Sequence, residues 1–552
     1  MPGGAGAEPA WGGRVVLVNP PYANEGAYTL APPLGLLAVG GHLRRARGAD
    51  VVLLDLALEF AEGRYPASLA LVEQAAARIL EEPADVYGFS VQCFDLPTAL
   101  LVARELRRRA PSARVVFGGH DATLLGDELR RTFPFLDEVS AGPLPVEAAE
   151  PFADTPPDLS LAPAVERYAA VSRQPTGLVE VGRGCPFNCS FCSIPVAFGR
   201  KRLRKDVRRI AEQIDAYLAA GIGEVHLVDD ILTVDRPYLR ELLGVLGGYA
   251  PALSWTGMTR VDLVDAECLR AMAEAGCHSL LYGVESASAE TRGMINKLGR
   301  PYPDLRRFLG WHLEAGIRPT LYFLFNLPGE SVGSVAETLA TAAALSVLDP
   351  GCCHVQLPRL TPGTALTRGA AHAGPRLDTP YARSLCSTFG GDADEVRAFM
   401  GEHPEIFSTY CIADGPLPVE QALAIAWTAD RLLAGYPLLC VGLAETGKLL
   451  ACFDAIAREH GGTLPVLGAD ELQGCVGGFV RREAPELEEL FRFHAWWARE
   501  PTGDDEDFLM SRVDLERAEE VVSRGRPLVP WLHLDSRSRI YRRRGPLAAT
   551  TP

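Results

Sequence analysis

The stretch that decides the fold is Gly184-Cys185-Pro186-Phe187-Asn188-Cys189-Ser190-Phe191-Cys192. Its cysteines have the spacing Cys-x3-Cys-x2-Cys and follow the apolar, strand-like segment 178–181. Three thiolates on one loop can bind three irons of a four-iron cluster and leave the fourth iron open. A structural zinc loop is the alternative, but it usually takes four protein ligands, and no second Cys or His pair follows at finger spacing. We therefore predict that Cys185, Cys189 and Cys192 bind an iron–sulfur cluster.

Length and composition limit the class of protein. A chain of 552 residues exceeds one hydrophobic core and predicts two or three domains. No apolar run approaches the roughly 20 residues that span a bilayer, and the first twelve residues lack a signal-peptide pattern. Thirteen scattered cysteines favour a reducing compartment, so we expect a cytoplasmic protein. The net charge of -16 argues against a nucleic-acid partner, because phosphate binding requires a concentrated basic surface.

The first part of the chain alternates strand-like and helical segments. The apolar runs cover 15–18, 51–54, 86–89 and 115–117. Continuous apolar runs are typical of parallel strands that are buried on both faces. We therefore predict an α/β fold that begins with a Rossmann-like parallel sheet. Polar and Gly-rich turns follow these strands. The turns either bind a ligand at the carboxyl ends of the strands or merely close loops.

Six further strand-like segments follow a proline-rich stretch, 151–175, that reads as an extended linker. These strand-like segments cover 178–181, 224–228, 253–257, 279–284, 320–325 and 354–357. Beyond about residue 375, helical periodicity over 419–433, 445–458 and 485–497 predicts a mostly α C-terminal domain. The predicted boundaries are 13–148 for the first domain, 149–175 for the linker, 176–372 for the central domain and 373–552 for the last domain.

The cysteine loop resembles the cluster loop of the radical S-adenosylmethionine (SAM) enzymes. In that family an aromatic residue precedes the third cysteine, as Phe191 does here. The resemblance implies that the open iron binds the amino and carboxylate groups of SAM. It also implies that the six βα steps form a partial (β/α)6 barrel with its chemistry at the carboxyl ends of the strands.

The strand ends of this central domain carry the groups that SAM needs: an acid, a cation and an acceptor for the ribose diol. The resemblance places Asp230 near the SAM amine, with Asp229 as the second choice. It matches Glu285 to the ribose-binding position, Arg260 to a carboxylate partner and the turn at Pro328 to the adenine side. The predicted SAM-binding residues are Phe191, Asp230, Arg260, Glu285, Ser286, Asn326 and Pro328.

Four segments of the first domain resemble, in order, the cobalamin-binding domain that precedes the radical core in one large class of these enzymes. They are Asn19-Pro20-Pro21, Pro32-Pro33-Leu34-Gly35-Leu36-Leu37, Gly88-Phe89-Ser90 and Gly118-Gly119-His120-Asp121-Ala122-Thr123. The chain lacks an Asp-x-His-x-x-Gly segment, so the implied cobalamin has no histidine ligand below cobalt. His120 either contacts cobalamin or bonds to its own loop. The predicted cobalamin-binding residues are Asn19, Pro20, Pro33, Gly35, Ser90, Val91, Gln92, Gly118, Gly119, His120 and Asp121.

Together the resemblances imply a cobalamin-dependent radical SAM methyltransferase with a 4Fe-4S cluster, SAM and cobalamin. Such an enzyme makes a 5′-deoxyadenosyl radical, which takes a hydrogen atom from carbon, and then delivers the methyl group of methylcobalamin. We expect a natural-product-type small molecule as substrate, with a peptide as the alternative, and an electron donor such as flavodoxin or ferredoxin. Neither a nucleic acid nor a membrane is expected as a partner.

Other chemistries stay open at this point. Some relatives use the same cofactors for cyclisation or rearrangement without methylation. Others transfer a methyl group by a polar route to sp2 carbon such as an indole. A cobalamin and cluster sensor without radical activity is a further alternative, although a sensor would need no SAM site.

Overall fold

The computed structural model describes residues 11, 13–23, 30–142, 156–172, 175–371, 374–460, 467–497, 507–509, 532–535 and 540–543. The chain divides into two compact units. The first unit comprises Met1–Met258, Glu274–Cys277 and Arg359–Ile412, and the second comprises Thr259–Ala273, His278–Pro358 and Ala413–Pro552. No helix among the described residues is long and apolar enough to cross a membrane.

The N-terminal part of the first unit is a five-stranded parallel sheet in the order β2-β1-β3-β4-β5. The strands are β1 (Arg14–Asn19), β2 (Asp50–Asp55), β3 (Val86–Ser90), β4 (Arg114–Gly118) and β5 (Glu138–Val139). The helices are α1 (Leu34–Arg47), α2 (Leu56–Ala61), α3 (Ala70–Leu80), α4 (Leu96–Arg109), α5 (His120–Leu125) and α6 (Asp127–Thr132). The strand order reverses between β1 and β3, and a ligand crevice is expected at that switch point.

Both faces of this sheet are buried, as the continuous apolar runs predict. Val16 and Val18 of β1 belong to one hydrophobic core, whereas Val15 and Leu17 belong to the other. Successive side chains of a strand point to opposite faces, so an apolar run places a core on each side. The predicted Rossmann-like parallel sheet is confirmed.

The described part of the predicted linker is not extended throughout. It forms a 3-10 helix over Leu159–Leu161 and helix α7 (Val165–Val171). Tyr168 of α7 is buried and donates a hydrogen bond of 2.6 Å to Asp55, at the end of β2. The proline-rich pattern of this segment is local and does not reveal the long-range contact between Tyr168 and Asp55. That contact helps to hold the segment against the sheet.

The first unit continues into three parallel strands in the order β10-β9-β6. The elements are β6 (Thr176–Glu180), β7 (Gly182–Arg183), α8 (Ile194–Ala197), β8 (Leu203–Arg204), α9 (Val207–Ala219), β9 (Glu224–Val228), α10 (Arg236–Gly247) and β10 (Ser254–Thr259). β7 and β8 pair as a short antiparallel ribbon. The cysteine loop connects β7 to α8, so this ribbon holds the base of the loop.

The second unit contributes three parallel strands in the order β13-β12-β11. Its elements up to residue 358 are α11 (Ala266–Glu274), β11 (Cys277–Glu285), α12 (Ala289–Met294), α13 (Leu305–Ala315), β12 (Arg318–Leu324), α14 (Val332–Leu348) and β13 (Cys353–Gln356). Each of the six strand-like segments of the central region is therefore a strand, and the strands alternate with helices as predicted.

Residues 359–412 return to the first unit. They form α15 (Ala365–Gly369), α16 (Arg383–Phe389) and α17 (Ala393–Gly401) with short 3-10 helices. Leu385, Phe389 and Met400 are buried in the same core as Phe89 and Phe117 of the N-terminal sheet. The apolar faces of these helices are visible in the sequence, but their packing partner is decided by tertiary structure.

The remainder of the second unit is mostly helical, as predicted. It consists of α18 (Val419–Gly435), α19 (Pro437–Glu445), α20 (Leu449–His460), α21 (Ala469–Glu483), α22 (Glu488–Trp497) and the antiparallel strands β14 (Asp507–Leu509), β15 (Leu532–Asp535) and β16 (Ile540–Arg543). The α/β class with a mostly α C-terminal region is thus confirmed. The domain boundaries proposed from the sequence stay predictions.

Candidate functional site

The cysteine loop has a constrained backbone and accessible thiols. Cys185, Cys189 and Cys192 are half-buried, whereas eight of the thirteen cysteines are buried, and none of the thirteen forms a disulfide. The N–H of Cys192 donates to the carbonyl of Cys189 at 3.2 Å. Gly184 has φ 87°, and a Cβ built there would overlap the carbonyl oxygen of Lys201. The close approach of the two ends of the loop therefore requires glycine.

The two aspartates after β9 have different surroundings. Asp229 is buried in an ion pair with Arg202, and its other oxygen accepts a hydrogen bond of 2.7 Å from the N–H of Ile231. Asp230 accepts a bond of 2.6 Å from the N–H of Gly184, just before the first cysteine of the loop. Burial, opposed by the hydrogen bond from Gly184 and assisted by the charge of Asp229, raises the pKa of Asp230 to about 6. Asp230 is therefore the carboxylate held against the cluster loop.

The predicted cobalamin residues after β3 and β4 lie together at the carboxyl ends of these strands. The N–H of Val91 donates to Gly118 at 2.9 Å, and that of Asp121 donates to Val91 at 3.2 Å. Gly119 has φ 97°, and a Cβ there would lie 2.9 Å from the Val91 backbone nitrogen. Ser90 Oγ is 3.0 Å from the same position, and Gln92 N–H donates to Asp95 at 2.8 Å. A side chain at residue 119 would push these strand ends apart.

Burial shifts the pKa values of two polar side chains at this edge toward their neutral forms. Burial raises the pKa of Asp121 to about 7, while the charge of Arg359 lowers it. Asp121 Oδ1 is buried and has no hydrogen-bond partner among the described residues. Burial also lowers the pKa of His120. Buried hydrogen-bonding groups such as Asp121 Oδ1 suit a ligand with uncharged amide groups, because an amide can supply the missing hydrogen bond.

The remaining predicted cobalamin residues lie around β1 and α1. Asn19 ends β1 and donates a hydrogen bond of 2.8 Å from Nδ2 to Asp55. Pro20 follows Asn19 and is buried, and Pro33 is the residue before α1. At Gly35, in the first turn of α1, a Cβ would meet no atom within 4 Å. Asn19 thus orders the end of β1 at the switch point between β1 and β3.

His120 brings the two predicted sites of the first unit together. Its Nε2 lies 3.0 Å from Oγ of Ser193, the residue after Cys192. Its ring also lies 5.8 Å from the ring of Phe198, at the end of α8. The His120 side chain therefore bonds to the cluster loop. The cobalamin-type edge and the cluster loop are in direct contact.

Three residues from 359–412 reach this same edge and were not predicted from the sequence. Arg359 donates to the Cys93 sulfur at 3.7 Å and lies 4.6 Å above the ring of Tyr381. Tyr410 O–H donates to the carbonyl of Cys93 at 2.8 Å. Burial raises the pKa of Cys93 to about 12, so this thiol is protonated. No local motif marks these residues, because they meet Cys93 from more than 260 residues away along the chain.

In the second unit, Glu285 forms an ion pair that the sequence does not reveal. Its Oε1 lies 2.7 Å from Nζ of Lys297, and both side chains are buried. Glu285 has φ 69°, a strained value for a residue other than glycine. The position of Lys297 in the sequence, just after a short helical segment, is typical of a helix-end residue that complements the helix dipole. α12 ends at Met294, and the Lys297 side chain pairs with Glu285 instead.

Arg260 is engaged by its own segment. Its guanidinium donates to both oxygens of Asp262, at 2.8 and 3.0 Å, and to the carbonyl of Leu298 at 3.2 Å. A Cβ at Gly299 would overlap both Arg260 and Asp262. The charge of Arg260 is therefore already paired with Asp262, and its place as a partner of the SAM carboxylate stays a prediction.

The other predicted SAM residues of this unit form two hydrogen-bonded turns. Ser286 Oγ lies 2.9 Å from Thr338 Oγ1. Asn326 has φ 62°, and its Oδ1 accepts a bond of 2.9 Å from the N–H of Leu417. Pro328 lies in the next turn, which Glu330 closes by accepting from Leu327 N–H at 3.0 Å. In the first unit, Phe191 is half-buried beside the last cysteine of the loop.

One histidine on the face of the β11–β13 strands is oriented by a carboxylate. Gly283 of β11 pairs with Tyr322 of β12, and Tyr322 pairs with His354 of β13. Gly283 lies on the same face of the sheet as the Glu285 side chain. His354 Nδ1 lies 2.7 Å from Asp430, and its ring stacks on Tyr322 at 5.4 Å. Because a carboxylate only accepts, Nδ1 donates, and in the neutral ring Nε2 is an acceptor. No local sequence pattern indicates this pair, because His354 and Asp430 are 76 residues apart in the chain.

Two family models match the chain in the order of these sites. The B12 binding domain matches residues 25–149, and the Radical SAM superfamily matches residues 179–342. The chain belongs to the cobalamin-dependent radical SAM enzymes. It is methyltransferase-like, and its cofactors are a 4Fe-4S cluster, SAM and cobalamin.

Similar proteins agree with this assignment. An uncharacterized methyltransferase of Pyrococcus horikoshii is 25% identical over 377 residues, which cover 60% of this chain and 78% of the relative. The anaerobic magnesium-protoporphyrin IX monomethyl ester cyclase of Cereibacter sphaeroides is 23% identical over 60% of this chain and 59% of the cyclase. The radical SAM methyltransferase TsrM of Kitasatospora setae, solved with cobalamin and a [4Fe-4S] cluster, has a TM-score of 0.56 at 19% identity. That match covers 81% of this chain and 98% of TsrM and shows a common fold.

The residues of this radical SAM enzyme fit the groups that the family binds. Three half-buried thiols on one loop suit a four-iron cluster. The buried Asp121 oxygen without a partner and the glycine turn at Gly119 suit an amide-rich cofactor against the β3–β4 edge. The strained Glu285 and Asn326 lie at strand ends, where such strain is typical of ligand-binding positions.

Proposed function

We propose that this enzyme is a methyltransferase that transfers the methyl group of methylcobalamin to a carbon of a natural-product-type small molecule. The observation that carries the proposal is the 3.0 Å contact of His120 with Ser193, because it joins a cobalamin-type edge to a cluster loop. This adjacency supports a reaction that uses the cluster and cobalamin together. The Pyrococcus horikoshii relative is likewise named an uncharacterized methyltransferase.

In this proposal Cys185, Cys189 and Cys192 hold the cluster, and Asp230 accepts a hydrogen bond from the SAM amine. Glu285, fixed by Lys297, accepts hydrogen bonds from the ribose hydroxyls. When bound, the cluster and SAM supply the radical, and cobalamin supplies the methyl group. An external electron donor of the flavodoxin or ferredoxin class reduces the cluster.

The chain's own contribution is placement and electrostatics. Asp230 brings a negative charge to the cluster loop through Gly184, where it attracts an ammonium group. Burial favours the neutral forms of His120 and Asp121, and both side chains present hydrogen-bonding groups at this edge. We place the substrate against the face of β11–β13, where Nε2 of His354 accepts a hydrogen bond from an N–H or O–H group of the substrate.

A second candidate is a cobalamin-dependent cyclisation or rearrangement without methylation. The Cereibacter relative, named as a cyclase, favours it. Both candidates use the same cluster loop and the same SAM-binding strand ends, and they differ in whether a methyl group reaches the product.

The test is anaerobic reconstitution of the full chain with iron, sulfide and hydroxocobalamin, followed by a reductant and methyl-labelled SAM. Label on cobalamin together with 5′-deoxyadenosine supports the radical methyltransferase. Label alone indicates polar methyl transfer, for example to an indole-type carbon, and 5′-deoxyadenosine alone indicates the cyclase type of reaction. Neither product indicates a binding module. Cys185→Ala abolishes both products, whereas the matched control Cys386→Ala, a half-buried thiol of α16, keeps them.

A further inference from the structure

Three potential metal ligands meet in the helical region of the second unit, apart from the residues assigned to the cofactors. Glu459 and His460 are the last two residues of α20, and Cys475 lies in the first half of α21. One carboxylate oxygen, one imidazole nitrogen and the thiol sulfur lie within 4.8 Å of one another. We propose that Glu459, His460 and Cys475 form a zinc site that links α20 to α21.

The donor set is the one that zinc selects. Zinc binds thiolate sulfur, imidazole nitrogen and carboxylate oxygen, usually in tetrahedral geometry. Three protein ligands leave the fourth position to water or to another ligand. The mixture of a soft thiolate with an imidazole disfavours calcium and magnesium, which prefer oxygen ligands.

A zinc ion can be accommodated between His460 and Cys475 if the His460 side chain moves slightly. His460 Nε2 lies 2.9 Å from Cys475 Sγ. In a tetrahedral site, Zn–S and Zn–N bonds of about 2.3 and 2.0 Å separate the two ligand atoms by roughly 3.5 Å. A rotation of the half-buried His460 side chain accommodates this change, while the buried Cys475 stays fixed on its helix.

A neighbouring residue orients the carboxylate ligand. Arg482, the penultimate residue of α21, donates a hydrogen bond of 2.9 Å from Nη2 to Oε1 of Glu459. The carboxylate of Glu459 also forms a hydrogen bond with the thiol of Cys475, so it already faces the sulfur that would bind the ion. Hydrogen bonds of this kind to ligating side chains orient metal ligands generally. Binding exchanges the Cys475 thiol proton for the metal: one Zn–S bond forms, one S–H bond breaks and the proton goes to solvent.

The experiment measures zinc in the full-length protein carrying its cluster and cobalamin, after dialysis against zinc chloride and then against zinc-free buffer. Wild type and the control Cys386→Ala retain one zinc per chain, whereas Cys475→Ala and His460→Ala retain none. Glu459→Gln, a change at an exposed side chain that leaves folding intact, binds zinc about tenfold more weakly. Equal zinc in all variants, or no zinc in wild type, overturns the proposal.

X-ray absorption at the zinc edge distinguishes this site from zinc trapped by the cluster loop. The proposed site gives one sulfur neighbour and lighter nitrogen or oxygen neighbours. Three sulfur neighbours would assign the ion to Cys185, Cys189 and Cys192 and refute the site. This result is independent of methyl transfer, so the zinc site and the proposed function can fail separately.

Discussion

His120 and Ser193 share a hydrogen bond of 3.0 Å between Nε2 and Oγ. His120 opens the first turn after β4 in the cobalamin-type sheet, and Ser193 follows the last cysteine of the cluster loop. The contact therefore couples two sites that are more than 70 residues apart in the sequence.

Acidification weakens this coupling. Burial lowers the pKa of His120 below its ordinary value, so the unfolded chain binds more protons below about pH 6.5. The stability contributed by neutral His120 is present above pH 6.5 and is lost as the pH falls. We expect the thermal midpoint of wild type to fall more steeply than that of His120→Gln between pH 7 and 5. Parallel curves for the two proteins would contradict this expectation.

Gly119→Ala weakens cobalamin binding. Gly119 has a φ of 97°, and a Cβ added there would lie only 2.9 Å from the backbone nitrogen of Val91. Such strain costs roughly 1–3 kcal/mol, which corresponds to about tenfold or more in the cobalamin dissociation constant. Equilibrium dialysis with hydroxocobalamin measures the change. Gly126→Ala is the matched control, since Gly126 also has a positive φ but no atom within 4 Å of the Cβ position.

Gly184→Ala lowers cluster content. The added Cβ collides with the Lys201 carbonyl, so the base of the cysteine loop must shift. Iron and sulfide analysis after anaerobic reconstitution is expected to show substantially less than four irons per chain. Gly199→Ala serves as the comparison, because Gly199 has a positive φ of 74° without a close neighbour. Equal iron in the two variants would count against the steric argument.

Asp230→Asn weakens SAM binding and changes the pH dependence of stability. The amide oxygen can still accept from Gly184, but the negative charge is lost. Because burial raises the Asp230 pKa to about 6, its protonated form stabilises the ligand-free fold below the ordinary carboxyl pKa, and that stability is lost as the pH rises to 6. Thermal midpoints from pH 4 to 7 should fall for wild type relative to the variant, and calorimetry at pH 7.5 should show weaker SAM binding.

Lys297→Met destabilises the second unit. It leaves the buried Glu285 carboxylate without the partner that lies 2.7 Å away, and breaking a buried pair in this way costs about 3–5 kcal/mol. The double variant Glu285→Gln/Lys297→Met should recover part of this loss. Chemical unfolding of wild type, Lys297→Met, Glu285→Gln and the double variant gives the coupling energy, and an additive double variant would show that the pair does not interact.

The sequence predicts the cluster loop and the strands well because both are local patterns. The spacing of Cys185, Cys189 and Cys192 lies within nine residues, and apolar runs report burial directly. The ends of β3 and β4 are predictable for the same reason, since Ser90 and Gly118 directly follow apolar runs.

Other features needed the tertiary structure. Asp229 and Asp230 are adjacent and chemically identical, and their partners distinguish them: the half-buried Arg202 pairs with Asp229, and the Gly184 N–H donates to Asp230. Lys297 looks like a helix-end residue until its contact with Glu285 is known.

The sequence by itself determined the fold class, the cluster loop and the order of the two cofactor domains, because each depends on residues close together in the chain. Tertiary structure alone decided that 359–412 pack on the N-terminal sheet, bringing Arg359 and Tyr410 to Cys93, and that Glu459, His460 and Cys475 meet. Segments that are distant in the chain come together mainly through the burial of apolar surface, which has no preferred direction. The apolar face of a helix therefore predicts that the helix packs, but it does not predict which segment is its packing partner.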